Sequence, residues 1–348
     1  MNKLTKVGCS ALCGSLAAIS AANAGDMTVT GGADMTWMSK QYDTTGNPFG
    51  VGSNATLKGS GELDNGWAFD VSIANTNLQA YSATTVNLTM GGAGKLTLDQ
   101  GSSANGIQAF DNVLPTAWEE ASGAGLSGGI RGLVSGSGTS QNIMYTSPTG
   151  MGSTLTLTWA PDIGATDISD KTTASSADGN GAGYDVTIKV NPTMGTELLS
   201  GLNLYAGAHT AERKNNNSTN EEPWQAVAAI TYSLGPVSLG HMWSAEDDGN
   251  NVSTAWRSYK LHGYGLSFNI NDDLSVSYGK LDSRKTGYNS SYTQTGAPGD
   301  RRIKVESYQI AYTMGGASIR LADVTVDNAA FSAGNTKEAT VLSLGLAF

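Results

Sequence analysis

Cysteine is nearly absent from this chain. Only Cys9 and Cys13 occur among its 348 residues. Both lie in an N-terminal stretch that has a secretory signal pattern: two lysines, then apolar and small residues, then the cleavage site Ala22-Asn23-Ala24. We expect residues 1–24 to be removed, which leaves a cysteine-free chain of residues 25–348. A secreted chain without disulfides must be stable through its architecture, and thiolate chemistry is excluded.

Long apolar runs and excess positive charge are also missing. Past the signal, no apolar run approaches the ~18 residues of a membrane-spanning helix. The formal net charge is −10, and it becomes −12 when Lys3 and Lys6 are removed. That balance disfavours nucleic acid as a partner, because phosphate backbones are bound by clustered Lys and Arg.

Histidine and nucleophile motifs are scarce as well. The three histidines, His209, His241 and His262, are spread over distant segments without ligand spacing. No nucleophile turn between a predicted strand and a predicted helix occurs, so we expect no catalytic residues and no enzymatic activity. We expect no cofactor either, apart from divalent cations that could bind acids of predicted outer loops: Glu221, Glu222, Glu246, Asp247 and Asp248.

What the sequence does contain is a regular alternation of short and long connections. The short ones hold turn residues, at 64–66, 91–94, 147–152, 235–236, 271–273 and 315–316. The long ones are polar, at 39–52, 100–140, 161–181, 211–222, 246–254, 283–302 and 327–336. This pattern places all tight hairpins on one rim of an up-and-down sheet, as in transmembrane β-barrels.

Between the connections, apolar and polar residues alternate with period two. In 153–159, Leu155, Leu157 and Trp159 share one face and threonines the other. The alternation predicts about sixteen antiparallel strands of roughly ten residues, the length that spans a membrane when tilted. The predicted strands are 28–38, 53–63, 67–76, 84–91, 94–100, 141–147, 153–160, 182–191, 201–210, 223–234, 236–245, 255–270, 273–283, 303–314, 316–326 and 337–348.

Two local features refine this prediction. The phase of strand 255–270 switches near Gly263, which suggests a bulge or an extension beyond the membrane. Aromatic residues collect near strand ends, where they would form interfacial girdles. These are Trp37, Trp67, Trp159, Trp224, Trp243, Trp256, Tyr81, Tyr145, Tyr232 and Tyr259.

One connection is far longer than a turn. Residues 101–140 combine apolar residues with three acids, Asp111, Glu119 and Glu120. A loop of this length in a regular barrel is functional or disordered. We expect it to fold into the barrel and narrow the lumen with its acids facing the pore; a plain surface loop is the alternative.

The chain resembles a Gram-negative outer-membrane general-diffusion porin of the trimeric, sixteen-stranded type. The resemblance rests on the strand count, the long loop after the fifth strand, and the C-terminal strand 340–348 that ends in Phe. It implies an all-β transmembrane barrel with short periplasmic turns and long outer loops. It also implies a C-terminal signal read by barrel-assembly machinery, formed by Leu342, Leu344, Leu346 and Phe348.

In that family, carboxylates of the inward loop face basic residues of the barrel wall. The resemblance assigns the acidic side to Asp111, Glu119 and Glu120. Strand phase puts Lys58, Lys189 and Arg320 inside the lumen, and Arg131 at the loop's exit is a further candidate. No dense arginine ladder is present, which predicts a weak transverse field.

The expected function is passive diffusion of small hydrophilic solutes and ions through a water-filled pore with cation preference. The resemblance implies a homotrimer in the outer membrane, in contact with outer-membrane lipid and lipopolysaccharide. Two alternatives remain within the membrane: a substrate-selective channel, and a surface adhesin or structural barrel without a pore. A soluble β-sandwich is disfavoured, because the polar face could not bury enough apolar area.

Overall fold

The computed structural model describes residues 27–41, 47–77, 83–101, 104–164, 180–192, 199–213, 221–249, 258–286 and 301–347. The predicted signal at 1–24 therefore lies outside the described residues. So do Tyr81, Trp256 and Phe348.

Sixteen antiparallel strands form a closed barrel in which each strand pairs with its neighbours in sequence and β1 pairs with β16. The predicted fold class and strand number are confirmed. The strands are β1 Met27–Gln41, β2 Phe49–Glu62, β3 Ala68–Thr76, β4 Ala83–Thr89, β5 Lys95–Asp99, β6 Asn142–Thr146, β7 Ser153–Ala160, β8 Asn180–Val190, β9 Leu202–Arg213, β10 Trp224–Leu234, β11 Val237–Asp247, β12 Ser258–Asn269, β13 Leu274–Thr286, β14 Arg302–Met314, β15 Ala317–Asp327 and β16 Lys337–Ala347.

The two rims of the barrel differ in their connections. Tight turns such as 235–236 and 315–316 lie at one rim, together with the start of β1 and the end of β16. We call this the turn rim. The opposite end, the loop rim, carries the long connections, including the segment between β5 and β6. Glu246 and Asp247, which we expected in an outer loop, belong to β11.

Over most of the barrel, the strands present apolar side chains outward and polar ones to the lumen. In β8, Tyr184 and Val186 are both 45% exposed on the outside, whereas Asp185 and Thr187 are each 4% exposed on the other face. Backbone groups of such a strand are satisfied by its neighbours, which is why a membrane admits a closed barrel. Among the described residues, no helix is long and apolar enough to cross a membrane.

Of the two explanations for the phase switch near Gly263, the bulge is wrong. Gly263 pairs in regular register with Met242 on β11 and Leu281 on β13. A register shift occurs in β8 instead, between Asn180 and Gly183. The misleading pattern came from apolar residues on both faces of β12.

Most of the predicted aromatic girdle does point outward. Trp37, Trp159 and Trp224 are 40–42% exposed on the outer face. Tyr259 is an exception: it pairs with Glu246 on the lumen face, and its ring lies 4.7 Å from the Arg131 guanidinium.

Candidate functional site: the lumen constriction

The segment between β5 and β6 lies inside the barrel. Its backbone hydrogen-bonds to polar side chains that alternate with the outward apolar ones on β8, β10, β11, β13 and β14. The outgoing half contacts the wall closer to the turn rim and the returning half closer to the loop rim, since Ala117 meets Ser277 and Arg131 meets Ser283 on the same strand. We call residues 104–140 the constriction loop.

Both ends of the constriction loop are fixed by one buried carboxylate. Asp185 Oδ2 accepts a hydrogen bond from the Ile107 backbone N–H at 2.9 Å, and its Oδ1 accepts from Ser137 Oγ at 2.7 Å. His209 Nδ1 lies 2.6 Å from the same Oδ1. The Asp185 side chain is 0% exposed, so these partners replace the water that a buried charge loses.

Two glycines make this contact possible. Gly106 and Gly136 have φ of +59° and +51°, a region that L side chains rarely adopt. A Cβ at Gly136 would lie 2.6 Å from Asp185 Oδ2 and still closer to Ile107, so any side chain there would push the loop off its anchor.

Two glutamines hold further parts of the loop, Gln225 near its returning end and Gln309 near its middle. Gln225 Oε1 accepts from the backbone N–H groups of Ser135 and Gly136, at 2.7 and 2.9 Å. Gln309 Oε1 accepts from the Glu119 N–H at 3.0 Å, and its Nε2 donates to the Glu119 carbonyl at 2.8 Å. An amide side chain suits this task, because it can donate and accept at once.

Apolar side chains pack under the loop on the lumen face. Ile107, Leu261 and Ile303 are fully buried there, and Val134 is 1% exposed. Fully burying such a side chain contributes roughly 1.5–3 kcal/mol. This core explains why β12 looked apolar on both faces: Leu261 packs against Gly132 of the constriction loop.

The three predicted acids all lie on the outgoing half of the loop. Asp111 and Glu120 are partly buried against the wall, and Glu119 is the most exposed of the three. Burial raises the pKa of Asp111 to about 7, and the neighbouring charge of Glu120 adds to the shift. Burial likewise raises the pKa of Glu120, against an opposing hydrogen bond from Ser122. Burial also raises the pKa of Glu119, against the opposing charge of Arg320.

Three of the four basic candidates are ion-paired. Arg320 Nη1 lies 3.1 Å from Asp34 Oδ1, and Lys58 Nζ lies 3.6 Å from Asp70 Oδ2. Lys58, Lys189 and Arg320 share a strand face with lumen residues. Arg131 belongs to the loop itself and pairs with Glu246 at 2.7 Å. Lys189 Nζ lies 5.5 Å from the centre of the Tyr205 ring.

A polar row crosses the wall opposite the loop. Asp70 Oδ2 accepts from Asn87 Nδ2 at 3.0 Å, and Asn87 Oδ1 accepts from Thr97 Oγ1 at 2.6 Å. With Lys58, these groups place an ammonium, a carboxylate, an amide and a hydroxyl along β2 to β5. Lys58 is exposed and Asp70 and Asn87 are partly exposed on this face, so these three side chains can hydrogen-bond a solute in the lumen.

A comparison with known families decides the class of this channel-like barrel. The chain matches the model of the Gram-negative porin family over residues 8–313. It belongs to that family.

The porin is also similar in fold to solved porin structures. The anion-selective porin of Comamonas acidovorans shares 13% identity at a TM-score of 0.63, covering 93% of this chain and 99% of that one. Salmonella typhi OmpF, solved with daunomycin, shares 10% identity at a TM-score of 0.65, covering 93% and 98%. The trimer form of Vibrio cholerae OmpT shares 10% identity at 0.63, covering 93% and 100%. No curated protein matched the sequence.

Sequence reasoning missed the groups that hold the porin's loop. Strand phase already placed Asp185 on a polar face, but nothing in the sequence paired it with His209 or with the loop backbone. For Gln225 and Gln309, the sequence indicated only the strand face on which they lie. Asp34 and Asp70 are the partners of Arg320 and Lys58. Strand phase would have placed both carboxylates on the lumen face if it had been applied to acidic residues as well as basic ones.

The remaining predicted residues are placed as follows. Leu342, Leu344 and Leu346 point outward from β16, at 45%, 38% and 52% exposure. Their role in assembly stays a prediction. Within the described ranges, no group of three or more His, Cys, Asp or Glu side chains is arranged to hold a metal ion. Divalent cations at the outer loops also stay a prediction.

Proposed function

We propose that this outer-membrane porin conducts small hydrophilic solutes and ions passively, with a preference for cations. One observation carries the preference. Arg320, Lys58 and Arg131 each have a carboxylate partner. Among the described residues, no basic side chain lies within ion-pair distance of Asp111, Glu119 or Glu120. The net charge that a passing ion meets at the constriction is therefore negative.

The barrel fold alone does not determine whether such a channel prefers cations or anions. The structurally similar Comamonas porin is described as anion-selective. Rings of charged side chains bias which ions enter a pore, so selectivity follows the side chains at the narrowing. In the described part of this porin three acids, Asp111, Glu119 and Glu120, have no ion-pair partner, against one lumen lysine without a carboxylate partner, Lys189.

The test is reversal potential in a planar bilayer under a salt gradient. We expect wild-type porin to be cation-selective, with conductance in steps of three. The pair Glu119→Gln, Glu120→Gln should reduce the cation preference several-fold while the channel stays open. Unchanged selectivity in this variant would sink the assignment of these acids.

A matched control removes two acids from the outside of the barrel. Asp323 and Glu338 lie on the outer face of β15 and β16, separated from the lumen by the wall. The variant Asp323→Asn, Glu338→Gln changes the net charge equally and should leave selectivity as it is. Folded, inserted protein that gives no steps would favour the adhesin or structural barrel.

Assembly follows from the same proposal. The loop rim faces outward, residues 1–24 act as a cleaved signal, and barrel-assembly machinery reads the C-terminal strand. We infer a homotrimer, by analogy with the trimer form of Vibrio cholerae OmpT. We infer contact with lipopolysaccharide in the outer leaflet and no catalytic activity.

A further inference from the structure

The outer face of β12 to β15 changes character abruptly toward the loop rim. One row across these strands is apolar: Phe268, Val276, Ile310 and Leu321 are paired in register. Tyrosines follow at Tyr264, Tyr278 and Tyr308. Beyond them the outward positions become charged. Tyrosine rings mark the level where lipid chains give way to headgroups, so the charged rows lie in the headgroup layer.

The row nearest the loop rim carries three like charges. Lys260 on β12 pairs directly with Arg284 on β13, which pairs directly with Arg302 on β14. Like charges directly opposite one another on neighbouring strands repel, and an anion bound between them would relieve this repulsion.

The acids nearby compensate only part of this positive charge. Asp282 Oδ1 lies 3.0 Å from Arg302 Nε, and Glu306 Oε1 lies 2.5 Å from Lys280 Nζ. Lys260 and Arg284 are exposed, and among the described residues no carboxylate lies within ion-pair distance of either. A cation pair thus remains open on the membrane-facing surface.

We propose that Lys260, Arg284 and Arg302 bind the phosphate of a phosphorylated lipid headgroup in the outer leaflet. The row lies four residues beyond Tyr264, about 13 Å along the strand at 3.3 Å per residue. Arginine's planar fork suits phosphate oxygens, and the lysine adds a point charge. This inference rests on the proposed function, because it requires the loop rim to face outward.

Binding of purified lipid A to the mature porin in detergent tests the proposal. Each Lys or Arg near an anionic membrane surface contributes about fivefold, so Lys260→Gln with Arg284→Gln should weaken binding about 25-fold. Lipid A stripped of its phosphates should bind wild type and variant equally weakly. If the paired variant fails to fold, each single variant should still weaken binding about fivefold.

The matched control removes two lumen-facing lysines at the same end of the barrel. Lys285 pairs with Tyr259 and Lys337 with Val326, both on the lumen face. The variant Lys285→Gln, Lys337→Gln should bind lipid A as wild type does. If both double variants bind lipid A equally weakly, the effect comes from net charge alone and the proposed lipid site is wrong.

Two further readouts separate the other outcomes. The conductance of Lys260→Gln, Arg284→Gln should match that of wild type. A wild-type protein that binds lipid A but does not conduct would overturn the proposed channel and leave the lipid site standing. The native mass of this double variant should show the same oligomer as that of wild type. If the variant dissociates with unchanged lipid affinity, the row is a contact between copies of the chain, and the lipid proposal fails.

Discussion

The two sides of the lumen are built differently. The lumen faces of β8 to β16 lie under the constriction loop and hold the buried apolar core with its hydrogen-bonding Asp185, Gln225 and Gln309. We call this the covered wall. On β1 to β4, no residue with a described burial is buried, and the lumen positions include Lys58 and Asp70. We call this the open wall.

The difference assigns separate tasks to one barrel. The covered wall determines where the constriction loop lies, because its side chains satisfy loop backbone groups and bury loop apolar groups. The open wall determines what a solute meets across the passage. Changes in the covered wall should therefore alter pore width and stability, and changes in the open wall should alter only selectivity.

The largest effect is expected from Asp185→Asn in the covered wall. The variant keeps one acceptor but loses the charge that several donors share, and hydrogen bonds to charged groups contribute about 1.5–3 kcal/mol each. We expect the loop to leave its wall, giving larger and noisier single-channel conductance and earlier thermal unfolding.

The control for this prediction lies in the open wall. Asp70 bonds to Lys58 and Asn87 but to no loop residue. Asp70→Asn should therefore leave conductance noise and unfolding temperature close to wild type. If the two variants behave alike, the division between the walls is wrong.

An intermediate effect is expected from pH. Because the pKa of Asp111 is raised to about 7, this carboxyl is mostly neutral at pH 5 and charged at pH 8. Cation preference should rise between these values in reversal-potential measurements. Asp111→Asn should remove the part of the rise centred near pH 7.

The same shift has a consequence for stability. The folded pKa of Asp111 is higher than the unfolded one, so the folded state holds the proton more tightly. The resulting stabilisation is complete below about pH 4 and is lost as pH rises through about 7. Wild type should lose more stability than Asp111→Asn over this range, and parallel pH curves would contradict the assignment.

The smallest effect is expected from Lys58→Gln in the open wall. Its pair with Asp70 is partly exposed, and such pairs contribute about 0–1 kcal/mol. Removing the lysine leaves the Asp70 carboxylate uncompensated, so cation preference should rise modestly at unchanged stability. Adding Asp70→Asn should return selectivity to near wild type, and a change in conductance noise would argue against the open wall's independence from the loop.

Local patterns were enough for the barrel. Period-two alternation and turn residues predicted all sixteen strands, most within about three residues of the observed bounds. At β12 the pattern gave the strand but also a false phase switch, because Leu261 faces the lumen although it is apolar. Alternation reports burial from water, and it cannot say whether lipid or a loop provides that burial.

By itself, the sequence determined the strand count, the rims and the presence of a long acidic loop, because each follows from contacts between residues near in sequence. The tertiary structure decided where that loop lies. Its anchors join residues 78 apart at Ile107 and Asp185, and 190 apart at Glu119 and Gln309. Which polar groups meet across a closed lumen depends on register around the whole barrel, and no local pattern encodes those meetings.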